Sequence, residues 1–159
     1  MTAATATQAG RMAAQLDGAV REVFSTMMSV ACEPVDDNPA QERETLSAVI
    51  GMAGALSGSM VLHSGSCAAM SMAERLTGLA PDGVDAMVRD AVGEVCNMIA
   101  GAWKGVDPVL ASGCLLSTPT VVAGSSYELF SQRAPLRLER SYRFADCVFS
   151  LTLFCESCS

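Results

Sequence analysis

At 159 residues the chain is long enough to enclose one substantial core and short for two domains. Half of the residues are hydrophobic but only 5% are aromatic, with ten Met and thirteen Gly, which excludes extensive disorder and describes a core of small and flexible side chains. A formal net charge of −7 with no Lys/Arg cluster argues against nucleic acid as a partner, because such binders need a basic face to replace phosphate counterions.

Met1–Gly10 is small and polar without periodicity, so it reads as a disordered leader ahead of a single domain over 11–159. From Met12 to Ala31, Leu16, Val20, Val23, Phe24, Met27 and Met28 recur at helical spacing, and Pro34 with Asp36-Asp37-Asn38-Pro39 begins a loop. Leu46–Met52 and Ser59–His63 are β-type runs, and the intervening Gly54 and Ser57-Gly58 suit a hairpin. Cys67–Leu76 returns to helical spacing and is stopped by Gly78. After a turn at Pro81-Asp82-Gly83, a long helix is predicted from about Val84 to Trp103. Gly113–Val122, Ser126–Phe130, Pro135–Leu138 and Tyr142–Cys155 are strand-like. Three helices and five or six strands, with helices followed by hairpins, predict a two-layer α/β (α+β) fold in which helices pack on a largely antiparallel sheet.

No apolar run approaches the roughly 20 residues that span a bilayer, and the N-terminus lacks a signal-peptide pattern, so a cytoplasmic location is expected. The seven cysteines are odd in number and scattered through apolar segments, as reduced core thiols would be. Met27, Met28, Met70, Met72 and Met98 fall mostly at core spacing.

On the long helix, about 100° per residue puts Asp90, Glu94, Asn97 and Gly101 within an arc of roughly 60°. Val84, Val88, Ala91, Val92, Val95, Met98, Ile99, Ala102 and Trp103 occupy the opposite side, so burying them turns the polar stripe outward. Periodicity alone makes such a stripe ordinary helix surface. Gly93 and Gly101 argue for more, since each costs about 1 kcal/mol relative to Ala inside a helix and lets another backbone come close. A weak internal repeat accompanies the stripe: Ala19-Val20-Arg21-Glu22-Val23-Phe24-Ser25 matches Ala91-Val92-Gly93-Glu94-Val95-Cys96-Asn97 at four of seven positions.

The segment Asp90-Ala91-Val92-Gly93-Glu94-Val95-Cys96-Asn97-Met98-Ile99-Ala100-Gly101 resembles the E-x-x-N signature helix of the CheC/CheX/FliY chemotaxis phosphatases, and is most similar to CheX. Val20-Arg21-Glu22-Val23-Phe24, Gly54 with Gly58-Ser59-Met60-Val61-Leu62, and Leu116-Ser117-Thr118-Pro119-Thr120-Val121-Val122-Ala123-Gly124 extend the resemblance over nearly the whole chain. It implies a CheC-like fold with a pseudo-twofold repeat, a homodimer, and hydrolysis of the aspartyl phosphate of a CheY-like response-regulator receiver in two-component signalling. Family members with two sites carry the motif twice; here Ser25 stands where the first asparagine would be, leaving Glu94 and Asn97 as the single intact pair.

Those residue types suit that reaction. A receiver holds its acyl phosphate against Mg2+ and a lysine, so the missing contribution is a water held in line with phosphorus. The Asn97 carboxamide can accept a hydrogen bond from that water without titrating, while Glu94 can pair with the receiver lysine and set the depth of docking. Asp90 can extend the contact by one turn, with Gly93 and Gly101 admitting the partner. No cofactor of the chain's own is implied, since the Mg2+ belongs to the receiver.

Two rivals follow from the same residues. A CheX-like module that binds a receiver or another signalling protein without hydrolysis keeps the docking face and loses the chemistry. A thiol or zinc protein would use Cys155-Glu156-Ser157-Cys158, but zinc needs two further ligands, and the single histidine, His63, reads as a strand-surface or satisfied core residue. No P-loop and no Ser/His/Asp set can be assembled.

Overall fold

The computed structural model describes residues 3–39, 44–125, 127 and 136–158. In chain order they form α1 (Ala3–Met28), β1 (Cys32–Val35), β2 (Thr45–Gly54), β3 (Leu56–Gly65), α2 (Ser66–Thr77), α3 (Ala86–Val106), α4 (Pro108–Gly113), β4 (Cys114–Leu116), β5 (Thr120–Gly124), β6 (Leu136–Phe144) and β7 (Cys147–Cys158). The fold is α+β, and every strand pair is antiparallel.

The strands run β1-β6-β7-β3-β2-β4, with β5 also on the outer edge of β2. β5 covers the first half of that edge, from Thr45 to Val49, and β4 covers Met52 to Gly54. This order makes the internal repeat visible. The units α1-β1-β2-β3 and α3-β5-β6-β7 each contain a helix and three strands in that order, with α4 and β4 inserted between α3 and β5 in the second; β3 and β7 meet at the centre, and each unit lends its first strand to the edge of the other.

Alternation decides which face is buried. Leu46, Ala48, Ile50 and Met52 of β2 share a face with Met60 and Leu62 of β3 and Leu151 and Leu153 of β7, and all are buried. Leu16, Val20 and Phe24 of α1, Ala69 and Met72 of α2, and Val92, Val95, Ile99 and Trp103 of α3 close over that face as one cluster. Phe24 stacks on Phe149 with ring centroids 5.3 Å apart. Asp17 of α1 reaches the sheet, accepting hydrogen bonds from Arg140 Nε at 3.1 Å and Tyr142 OH at 2.7 Å. Burial and the Asp17 carboxylate together push the Tyr142 phenol well above its ordinary range.

Several boundaries differ from the sequence reading. α1 begins at Ala3, so the stretch read as a leader through Gly10 is helical as far as it is described; its alanines carry strong helix propensity. β1 forms around Pro34, where a loop was expected, and α4, in a stretch assigned no element, is started by Asp107 as N-cap with Pro108 in its first turn. Four helices and seven strands among the described residues therefore replace three and five or six. Ser57-Gly58 is not the hairpin turn but a bulge inside β3, where the register against β7 shifts. A Cβ on Gly58 would lie 1.8 Å from Phe154 O, which only glycine avoids. Met27 is exposed rather than packed. Apart from Tyr127, the strand read over Ser126–Phe130 lies outside the described residues, as does Pro135.

Candidate functional site

α3 starts where the Asp85 carboxylate accepts a hydrogen bond from Val88 N at 3.0 Å, and its last turn is held by Lys104 Nζ donating to Cys114 O at 2.6 Å. Between these anchors Val88, Val92, Val95, Ile99 and Trp103 are buried, which fixes the rotation of the helix against α1, α2 and the sheet. Asp90, Glu94 and Gly101 are consequently exposed, and Asn97 is half-buried. The polar arc faces outward as its spacing requires. Among the described residues no hydrogen bond or ion pair engages the side chains of Asp90, Glu94 or Asn97.

The two glycines part company. Around Gly101 a Cβ would meet nothing within 4 Å, so its surface is open. Gly93 is buried, and a Cβ there would lie 3.2 Å from Val121 Cγ2 and 3.5 Å from Pro119 Cγ. The side chains that approach Gly93 belong to this chain's own Pro119 and Val121, so the space beside it is already filled from within.

The approaching segment joins β4 to β5 and forms a wall beside the stripe. Gly51 N donates to Ser117 Oγ at 2.8 Å, Ser117 N donates to Gly51 O at 2.9 Å, and Ser117 Oγ donates to Thr118 O at 3.0 Å. These bonds hold Pro119 over α3. Residue-level reasoning gave Ser117, Pro119 and Val121 no role, although their segment carried part of the resemblance.

The equivalent place on α1 has Glu22 and Ser25, both exposed. Ser25 lines a shallow cleft with Arg21 and Glu33, which form an exposed ion pair at 2.8 Å; Arg21 holds the Glu33 carboxyl below its ordinary range. With a hydroxyl in place of the carboxamide, and with the neighbouring cation engaged by Glu33, this surface differs chemically from the one on α3.

Elsewhere, His63 Nδ1 lies 2.9 Å from Ser47 Oγ, its cross-strand neighbour, and Ser47 Oγ accepts from Tyr127 OH at 2.9 Å. Burial lowers the His63 pKa, which fits a satisfied sheet residue. Cys155 is buried opposite Gly58, while the side chain of Cys158 lies outside the described residues. Among the described residues, no group of three or more His, Cys, Asp or Glu is placed to hold a metal ion, and no helix is long and apolar enough to cross a membrane. Burial pushes the Cys96 thiol up to about 12, and its Sγ is turned toward Ala48 O at 3.7 Å.

Comparison with known proteins adds the family. The model of the family Chemotaxis phosphatase CheX matches residues 46–138, more than half of the chain and all of α3. Among solved structures, the chemotaxis protein CheX from Vibrio vulnificus superposes with a TM-score of 0.77 at 24% identity, over 91% of this chain and 96% of that one. CheX from Desulfovibrio desulfuricans gives 0.75 at 22%, over 92% and 99%. CheX in the CheX–CheY–BeF3–Mg2+ complex from Borrelia burgdorferi gives 0.67 at 16%, over 91% and 97%. No curated protein sequence matches. With the family model covering its central helix and strands and the same fold recurring in these structures, the chain belongs to the CheX family of chemotaxis phosphatases.

Proposed function

We propose that the chain hydrolyses the aspartyl phosphate of a response-regulator receiver domain, with Asn97 orienting the attacking water and Glu94 docking the helix. The observation that carries this reading is the pair itself: a carboxylate and a carboxamide one turn apart on the outward arc of α3, with no partner among the described residues, in a chain of the CheX family. That a CheX from Borrelia burgdorferi forms a complex with CheY lends support to a receiver as the partner.

The chemistry follows from what each group can do. Asn97 Oδ1 accepts a hydrogen bond from a water and its amide donates toward the phosphoryl oxygens, which fixes the water's lone pair on phosphorus. Water oxygen bonds to phosphorus, the bond from phosphorus to the aspartate oxygen breaks, and phosphate leaves with the receiver carboxylate restored. The receiver's own Mg2+ and lysine neutralise the charge, so a non-titrating amide is sufficient. Glu94, exposed and unpaired among the described residues, supplies the anion for a partner cation, and Asp90 lies one turn further along the same arc. Gly101 leaves room for the partner's backbone.

The test is phosphate release from a phosphorylated, Mg2+-loaded receiver. Wild type should shorten its lifetime, and Asn97→Ala should remove the increment while the two proteins still bind. Binding by wild type with no increment would instead assign the chain as a non-catalytic receiver-binding module.

A further inference from the structure

Cys67 lies in the first turn of α2, whose N-cap, Gly65, provides no side-chain cap. Cys147 opens β7 immediately after the turn Ala145-Asp146 that joins it to β6. The helix start and the hairpin tip converge, so that two sulfur atoms eighty positions apart in the chain are 3.5 Å from one another. Cys67 is exposed and Cys147 is buried behind it. Both line a cleft of about 460 Å³ that also includes Asp37 and Arg143, themselves an ion pair, and Asp146.

A core cysteine needs only space, and Cys96 and Cys114 behave in that way, each turned toward a backbone carbonyl. Cys67 and Cys147 combine two features that core packing does not need: an exposed cysteine lining an open cleft and a second sulfur within reach of its own, on separate elements. Thiol–disulfide exchange requires that arrangement, an attacking thiolate that an oxidant can reach and a resolving thiol beside it.

We propose that Cys67 and Cys147 are a reversible dithiol–disulfide couple, oxidised by a small-molecule disulfide of the glutathione class. Cys67 loses its proton to solvent and attacks one sulfur of the oxidised glutathione; the S–S bond of that molecule breaks, one glutathione thiolate leaves, and a mixed disulfide remains on Cys67. Cys147, deprotonated in turn, attacks the Cys67 sulfur and displaces the second glutathione. Two protein thiols and one oxidised glutathione become one protein disulfide and two reduced glutathiones. The new bond ties the start of α2 to the β6–β7 hairpin and closes a long loop, which restricts the unfolded chain.

The full-length protein, first reduced, is equilibrated against mixtures of reduced and oxidised glutathione, quenched by alkylation and mapped by peptide mass spectrometry. The expected product is one intramolecular Cys67–Cys147 cross-linked peptide that reverses in excess reduced glutathione. The oxidised form should unfold about 5–10 °C higher. Cys67→Ser, at an exposed position, should abolish the cross-link and leave Cys147 a thiol. The proposal is overturned by a stable mixed disulfide on Cys67 with Cys147 unchanged, by cross-links to other cysteines or between chains, or by a pair that stays reduced in oxidised glutathione alone. None of these outcomes depends on phosphatase activity.

Discussion

Glu94 and Asn97 are one helical turn apart, yet the proposed reaction asks different things of them. In that proposal Glu94, an exposed carboxylate, acts before the chemical step through a charge pair with the partner that salt would screen. Glu94→Gln should raise KM for the phosphorylated receiver roughly tenfold, leave kcat within a few-fold, and flatten the dependence of KM on ionic strength. Asn97 is proposed to act in the transition state, so its loss is expected in kcat. Asn97→Ser copies the residue that α1 carries at Ser25, and it keeps a hydroxyl but loses the length of the carboxamide. A fall of about 100-fold in single-turnover hydrolysis is expected, with KM little changed. The outward facing of both positions was legible in the sequence, because an apolar arc leaves the helix only one way to face. The burial of Gly93 could not be read from helical spacing, which describes one element alone, whereas Pro119 and Val121 arrive from residues far along the chain.

At the level of elements, the two glycines of α3 make opposite predictions. Gly93→Val would drive its side chain into Val121 and Pro119, which Ser117 pins to Gly51. A loss of about 1–3 kcal/mol in urea unfolding is expected, and displacement of the 117–119 wall should lower hydrolysis as well. Gly101→Ala meets open space and should gain up to about 1 kcal/mol from helix propensity alone, while weakening receiver binding if that surface admits a partner. The strongly periodic elements, α1, α2, α3 and the β2–β3 hairpin, could be read from spacing because burial imposes it. β1 could not, since Pro34 normally breaks a strand; it is tolerated because β1 lies at the sheet edge, where among the described residues it pairs with β6 alone. α4 carried an Asp-Pro start signal, but with six residues it is too short for periodicity to show.

For the molecule as a whole, the exchange of edge strands between α1-β1-β2-β3 and α3-β5-β6-β7 means that neither unit completes a sheet alone. The repeat was faint in sequence, at four of seven positions, because topology survives substitutions that erase identity. Stability should also respond to pH through His63, whose pKa burial lowers from about 6.5 in the folded state. The unfolded chain then binds the proton more readily, so this contribution is full above about pH 6.5 and is lost as pH falls toward the folded value. Equilibrium unfolding between pH 7.5 and about pH 5 should show the decline, and His63→Gln should reduce its slope. The functional claim requires two proteins and one reacting bond. Its most direct measurement is the rate of phosphate release from a phosphorylated receiver at saturating chain, for wild type and for Asn97→Ala, with binding of each measured alongside. Faster release by wild type, lost in Asn97→Ala at unchanged affinity, is the expected result; equal release by the two proteins would contradict the assignment of Asn97 to the water.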